Sequence, residues 1–441
     1  MSAAREYQAV IVGGGPAGLA AGIVLARSGI STLLLERRTL PYAKVCGEGL
    51  MPVGLRALES LGVDLSQSPN EVGLPFRGIR YRDCGTGRAA EADFAEGPGR
   101  GVPRRILAAR LLAAAKQHEL LEIRDGVLCE ALRRTADGAW EIRAGESVFR
   151  ASLLIGADGI HSFARRAARL DRDSARNDPR RWGARWHFPI APWTDGFVEV
   201  RLLAQTPGVE CYITPVGEHE TGVAFLWDRQ SFRPAGGDTL LASLLAIFPE
   251  VAARVRDLTP LSDGGAIGPL LHRTRAVSGS GVALIGDAAG YLDAATGEGL
   301  SLAFEAALAL ENTVVPALGA AARSNASNVA SGANESEAAS SAAAAIGAMA
   351  TDARACRRRE LDRALRAYSR EHRRITANYY LTTRLVLWLG RRPRWMRRVI
   401  AGLGASPAFF QRVLSVNMGT RGVFAVSPGA LLRFLKGLRA H

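Results

Sequence analysis

The sequence predicts an α/β protein: a dinucleotide-binding Rossmann domain, a mixed β-sheet substrate domain inserted into it, and a helical C-terminal region. Three observations carry that prediction. YQAVIVGGGPAGLAAGIVLARSGISTLLLER reads as strand (7–12), glycine turn, helix (16–28) and strand (31–36), a βαβ unit whose crossover is right-handed by default. Residues 182–227 hold GFVEVRLL, VECYITPVG and TGVAFLWD, three strand-like runs. Beyond residue 356, apolar residues recur at helical spacing between arginines.

In chain order, residues 1–80 form the first part of the dinucleotide domain, with a second helix over 53–62. Residues 81–100 are assigned to the inserted sheet. The dinucleotide domain resumes over 101–180, with a helix at 105–118 and hairpin strands that return to a core strand, SLLIGADG (152–159). The inserted sheet then occupies 181–275. The third part of the dinucleotide domain, 276–318, opens on GVALI (281–285) and GDAAGYLDAATGEGLSLAFEAA (286–307). Residues 319–355 are dominated by Ala, Ser, Asn and Gly. Such a stretch buries too little to offset its ordering entropy, so a disordered insertion is expected, with a polyalanine helix over 338–350 as the alternative. Residues 356–441 form a basic helical region divided at Pro393, Pro407 and Pro428.

Composition narrows the class of protein. With 48% hydrophobic and 22% charged residues in 441, the chain is globular. No apolar run reaches the roughly eighteen residues of a spanning helix, and the N-terminus shows no cleavable signal, so a cytoplasmic location is expected. The five cysteines are scattered without a CxxC pair, which indicates neither a zinc site, nor any other metal site, nor a disulfide framework. The net charge of +14 is uneven: from Arg357 to His441 there are nineteen Lys or Arg against three acidic residues. Such a region suits an anionic membrane surface, nucleic acid, or merely solvated helix faces. Trp388 and Trp395 fit an amphipathic face better than a base-stacking surface, which disfavours nucleic acid. The segment 385–403 is the expected site of peripheral membrane contact.

Gly13-x-Gly15-x-x-Gly18 follows a strand, opens a helix and has Glu36 at the end of the next strand. Gly13 permits the turn, Gly15 lets backbone reach a pyrophosphate, Gly18 permits close helix–strand packing, and Glu36 can accept ribose hydroxyls; Arg37 adjoins it. Gly286, Asp287, Gly297 and Gly299 repeat the logic: glycines admit close approach, and a helix N-terminus offers unpaired N–H groups to an anion. The fingerprint alone leaves FAD and NAD(P) both open.

GADGIHSFAR (156–165) and GDAAG (286–290), placed after the glycine fingerprint, resemble the FAD-dependent family that includes aromatic hydroxylases, flavin halogenases and geranylgeranyl reductases. The resemblance implies a glutathione-reductase-like FAD domain, FAD as cofactor and, without a second glycine fingerprint, NAD(P)H as a transient electron donor. It implies cofactor contacts from Asp158, from Asp287 to the ribityl chain, and from Arg104 at a helix start, with Arg105 a near-equal candidate. Gly297 and Gly299 would open a helix toward the pyrimidine edge of the flavin. PYAKVCGEGLMPVG (41–54) is similar to the Lys-x-Cys-Gly-Gly pattern of geranylgeranyl reductases, which sets Lys44, Cys46 and Glu48 along the flavin. Cys46, Glu48 and Tyr212 are the candidate catalytic residues. Against them stand plainer roles: a space-filling thiol for Cys46, and core packing for Tyr212, His187 and Trp186.

The chain departs from each subfamily. CYITPVG replaces the Phe-Pro run, Asp293-Ala294 replaces Asn-Pro, the halogenase Trp-x-Trp-x-x-Pro is absent, and Gly290 stands where hydroxylases show His. The expected function is therefore an FAD-dependent monooxygenase that hydroxylates or epoxidises a lipophilic or aromatic substrate. An ene reductase of isoprenoid double bonds is the alternative, and a flavin-fold nucleic-acid-binding protein stands third.

Overall fold

The computed structural model describes residues 4–65, 72–172, 181–234, 239–262, 264–319, 339–422 and 426–439. Its central sheet runs in the order Ser278–Gly279, Val282–Leu284, Ser147–Gly156, Arg5–Val12, Thr32–Leu35, Leu121–Arg124. The four pairings from Val282–Leu284 to Leu121–Arg124 are parallel, and the hairpin Cys129–Arg134/Trp140–Ala144 pairs antiparallel with Ser147–Gly156. Val10, Ile11, Leu33, Leu34, Leu153, Leu154 are wholly buried because both faces of a parallel sheet are covered. Helices α1 (Pro16–Arg27), α2 (Arg104–Ala115) and α3 (Gly299–Thr313) cover one face.

The inserted sheet has seven strands in the order Gly265–Ile267, Arg181–Phe188, Glu220–Asp228, Val209–Gly217, Phe197–Leu202, Gly78–Asp83, Ala89–Asp93. It is mixed because one pair, Phe197–Leu202 with Gly78–Asp83, is parallel, Val200 facing Tyr81. A third, small sheet joins Gly49–Leu50, Gly99–Gly101 and Leu74–Phe76. It ties the segment after Lys44 to the stretch before α2.

The C-terminal region begins as one 52-residue helix, α4 (Ala339–Gly390). Residues 339–355, expected within a disordered insertion, are therefore helical; residues 320–338 lie outside the described residues. Alanine has the highest helix propensity, and the run continues without a break into an amphipathic segment that Tyr368 and Tyr379 anchor to the rest of the protein. α5 (Pro393–Ala405), α6 (Pro407–Asn417) and α7 (Pro428–Arg439) each start on proline, which fits the first helical position, where no N–H partner is lost. α5 and α6 pack Ile400, Leu403, Phe410 and Leu414 on Ile79, Val198 and Val200 of the inserted sheet. α5 and α7 approach closely through glycine: a Cβ on Gly437 would lie 2.8 Å from the Gly402 Cα.

α4 also clamps the GDAAG loop. The Tyr368 hydroxyl donates to the Leu284 carbonyl (2.8 Å), and the Tyr379 hydroxyl accepts from the Asp293 N–H (3.1 Å) while donating to the Asp293 carbonyl (2.9 Å). The C-terminal region is thus part of the wall of the site.

Candidate cofactor and active site

A cavity of about 1170 Å³ runs from the glycine fingerprint, past Lys44–Gly49 and the Gly297–Gly299 turn, to the apolar inner faces of α5 and α6. At the fingerprint the three glycines divide into two kinds. Gly13 has φ +110°, and a Cβ there would sit 2.4 Å from the Ala157 carbonyl oxygen; on Gly18 it would sit 1.8 Å from that of Gly13. Both are closed by the chain itself, and Gly18 lies outside the cavity wall. Gly15 is open: the nearest atom to its Cβ position is the Tyr42 hydroxyl at 3.9 Å, and the residue lines the cavity. No side chain caps α1 at Gly15, so its N–H groups face the cavity as an anion site. Glu36, buried, accepts from the Gly14 N–H (2.7 Å) and the Arg38 N–H (2.9 Å), which fixes the turn to the next strand. Arg37 is exposed at the rim.

Arg104 is buried on the cavity wall with Nη1 lacking any hydrogen-bond partner, an orphaned cation that suits an acceptor-rich ligand. Its neighbour Arg105 turns outward and makes a two-point ion pair with Glu220 (3.1 and 2.9 Å). Asp287 accepts from Lys44 Nζ (2.8 Å); burial would raise its pKa, but the Lys44 charge keeps it below the usual carboxylate range. Gly286 (φ +57°) and Gly297 (φ +72°) hold turns that a side chain would strain. No side chain caps α3, whose first residue, Gly299, lines the cavity. An uncapped helix end, an open glycine cradle and an orphaned guanidinium are what a dinucleotide with a pyrophosphate and a ring carbonyl edge requires.

Two expected site residues also bond to the protein itself. The Asp158 carboxylate accepts from the Ser162 hydroxyl and from the Phe163 and Ala164 N–H groups (2.6 and 2.9 Å). It thereby holds the first N–H groups of the short helix Phe163–Ala167, whose N-cap is Ser162, and the residue lines the cavity. The Tyr212 ring lines the cavity, but its hydroxyl donates to Glu210 (2.7 Å) and lies 3.2 Å from the Ala295 carbonyl. Burial and the Glu210 charge hold that phenol well above its usual range, so it stays protonated.

Glu48 is placed differently. It is buried and one of three non-glycine residues with positive φ (+63°) among the described residues. Its Oε1 accepts from the Arg104 N–H (2.8 Å) and lies 3.4 Å from Arg185 Nη1, while Oε2 meets His187 Nε2. The other ring nitrogen of His187 meets Glu220. Burial alone would lower the His187 pKa, but hydrogen bonds to Glu220 and Glu48 carry it above the ordinary imidazole range. Burial likewise opposes ionisation of Glu220, yet His187 and Arg105 bring it down to about 2. The half-buried Cys46 stands beside this clamp, its Sγ accepting weakly from the Glu48 N–H (3.4 Å).

Sequence reasoning missed a second buried cluster. Arg181 pairs with Asp293 (3.0 Å) and Glu210 (3.1 Å), all three buried, and so joins the inserted sheet to the loop before α3. The available signal was charge in apolar surroundings: RWGARWHF spaces Arg181 and Arg185 among aromatics. Glu298, also buried, accepts from Asn417 Nδ2 on α6 (2.8 Å), and burial pushes its pKa up to about 8.

A family described as an FAD binding domain matches residues 6–333. The chain belongs to this family. The flavoprotein is an FAD-dependent oxidoreductase. It is 29% identical over 327 residues to a menaquinone reductase of Mycobacterium tuberculosis, covering 69% of this chain and 76% of that one. It is 30% identical over 318 residues to a 2-heptyl-3-hydroxy-4(1H)-quinolone synthase of Mycobacteroides abscessus, covering 69% and 81%. A flavoprotein/dehydrogenase structure from Cytophaga hutchinsonii shares the fold, with a TM-score of 0.71 at 16% identity over 94% of this chain and 93% of that one. The oxidoreductase reading of the sequence thus stands, with fold and FAD as expected.

Proposed function

We propose that this flavoprotein is a monooxygenase that hydroxylates or epoxidises a lipophilic or aromatic substrate. The observation that carries the reading is the far half of the cavity. Beyond the Gly297–Gly299 turn it is lined by Ile79, Val198 and Val200 from the sheet and by Val399, Phe410 and Val413 from α5 and α6. Such a chamber takes apolar surface out of water at about 25 cal/mol per Å² and keeps bulk water from the reacting end. The quinolone synthase likeness supports the same reading.

Bound FAD supplies the redox chemistry, taking electrons from NAD(P)H and passing them on. The chain's own residues do the rest. The uncapped N-terminus of α3 stabilises negative charge by about 0.3–2 kcal/mol. Lys44 holds Asp287 ionised at the cavity wall, and Arg104 presents its unpaired Nη1. Glu48 is the acid–base group: it lines the cavity wall, and its Oε2 meets His187 Nε2, which also lies 2.7 Å from Arg185 Nη1. Cys46 lines the wall beside it.

A second reading, reduction of an isoprenoid carbon–carbon double bond, is favoured by the Lys44-x-Cys46 stretch beside the cavity and by the menaquinone reductase likeness. Peripheral contact with an anionic membrane and a cytoplasmic location belong to this proposal; among the described residues no single helix is long and apolar enough to cross a bilayer. The test is turnover of a long-chain phenol and of a polyprenyl quinone with NADPH under labelled oxygen. Label in the phenol product supports the monooxygenase. Anaerobic gain of two carbon-bound hydrogens in the isoprenoid chain of the polyprenyl probe, beyond reduction of its quinone ring to the quinol, with no label incorporated in either, replaces it with the reductase.

A further inference from the structure

From Leu381 to His441 the chain carries eleven Lys or Arg and no Asp or Glu. Among the described residues, seven of the ten exposed large apolar side chains fall in the same stretch. They form a pattern. Leu381, Leu385 and Trp388, exposed by 57, 55 and 44%, make one stripe at i, i+4 and i+7 along the end of α4. Trp395 on α5 is exposed by 49%, and Leu431, Leu432 and Leu435 (41, 55 and 41%) point outward from α7. α7 can present them because it meets α5 through Gly437 and Ala430 on its opposite face.

Leu385, Trp388 and Trp395 are also residues of the cavity wall. Side chains that are half exposed and line the same cavity mark its mouth. The mouth of the substrate chamber therefore opens onto an apolar patch. Cations surround it: Arg392 lies over the Trp388 ring (4.3 Å) and Arg398 over the Trp395 ring (5.6 Å), with Arg394, Arg433 and Lys436 exposed nearby in the chain. Arg391 and Arg397 are turned inward to Asp228 and Asp83.

We propose that the ends of α4 and α5 together with α7 dock on an anionic lipid bilayer, so that the cavity mouth sits at the membrane interface and a lipid-soluble substrate enters laterally. Exposed leucines beside tryptophans, rimmed by arginines, match the interface of a charged bilayer, where apolar side chains enter the acyl boundary and cations meet headgroups. A second copy of this chain is a poor occupant, because it would bring the same positive charge without an acidic partner. A nucleic acid would attract the arginines but offers little to three outward leucines on α7. The proposal rests on the reading of the cavity as the seat of a lipophilic substrate, and it adds to the 385–403 segment the α7 helix and the route of entry.

The experiment is co-sedimentation of the FAD-loaded protein with vesicles of phosphatidylcholine alone and with phosphatidylglycerol added, alongside DNA binding and sedimentation velocity. Binding is expected to the anionic vesicles and to weaken with salt. Leu432→Glu/Leu435→Glu, at positions outside the cavity wall, should lose it by about tenfold or more while keeping FAD content, melting temperature and turnover of a short, water-soluble substrate analogue. Replacing Arg394, Arg433 and Lys436 by Gln should weaken it by about fivefold per cation. Equal binding by the leucine variant, stronger binding to DNA than to vesicles, or a dimer abolished by that variant would each overturn the proposal. Vesicle binding without turnover of any lipophilic probe would overturn the function and leave the docking; turnover of the soluble analogue without vesicle binding would do the reverse.

Discussion

Replacing Gly15 and Gly18 by alanine separates space kept for a ligand from space filled by the chain. Gly15 has φ −69° and ψ −179°, a conformation alanine adopts freely, and its Cβ would find nothing within 3.9 Å. Apoprotein stability should therefore hold or rise by about 0.4–1 kcal/mol. The same methyl would stand where the pyrophosphate meets the α1 N-terminus. Losing two N–H contacts to a charged group, at about 1.5–3 kcal/mol each, weakens FAD binding by about 3–6 kcal/mol, on the order of a hundred- to ten-thousandfold. Gly18→Ala must instead move the Gly13 carbonyl oxygen away from a Cβ 1.8 Å distant. That overpacking costs about 1–3 kcal/mol in the apoprotein before any ligand is added. The assay is paired: thermal melting of each flavin-stripped protein, then FAD titration by quenching of flavin fluorescence. Full FAD occupancy in Gly15→Ala, or an apoprotein melting well below wild type, would refute the assignment of Gly15 to the ligand.

Three further outcomes are expected. Arg181→Met leaves Asp293 and Glu210 buried without their cation and should cost about 3–5 kcal/mol in urea unfolding, with much of the loss recovered when both acids become amides; an unchanged midpoint would show that the cluster is not dry. Arg104→Met should leave the melting temperature of the apoprotein within a few degrees but weaken FAD binding by about tenfold or more, whereas Arg105→Met should leave FAD binding unaltered. The third concerns pH. Burial raises Glu298 from 4.5 to about 8 and Glu305 from 4.5 to about 7, so over that interval the folded state keeps protons that the unfolded chain has released. Stability should fall as pH rises from about 4.5 to about 8, and Glu298→Gln should flatten the upper part of the slope. A wild-type stability that rises between pH 6 and pH 8 would mean that another group dominates there.

The parts of this protein legible in its sequence are those fixed by near neighbours. Gly13 and Gly18 announce a turn and a helix start because sterics admit nothing larger there, and Pro393, Pro407 and Pro428 begin helices because proline loses nothing at a first helical position. Those local patterns leave FAD and NAD(P) both open; FAD was implied by the resemblance that GADGIHSFAR and GDAAG carry. Other outcomes depended on distant contacts. Arg104 and Arg105 are neighbours on one helix, about 100° apart, and only the position of Glu220 across the inserted sheet turns one outward and leaves the other in the cavity. Asp158 lines the cavity as the resemblance implies, and its carboxylate also accepts from the turn that follows it, which the sequence did not show. Residues 339–355 were read from composition as too poor to order themselves, whereas the long helix they extend is anchored by Tyr368 and Tyr379 far downstream.

The sequence by itself determined the cofactor domain, since glycine, helix-start and strand signals act over a few residues. Only the tertiary structure decided that Glu48 meets His187, that Arg181 joins the inserted sheet to the loop before α3, and that α5 and α6 close the chamber. Those contacts join residues more than a hundred positions apart, and their energies come from burial and charge pairing that exist only once the sheets and helices have packed.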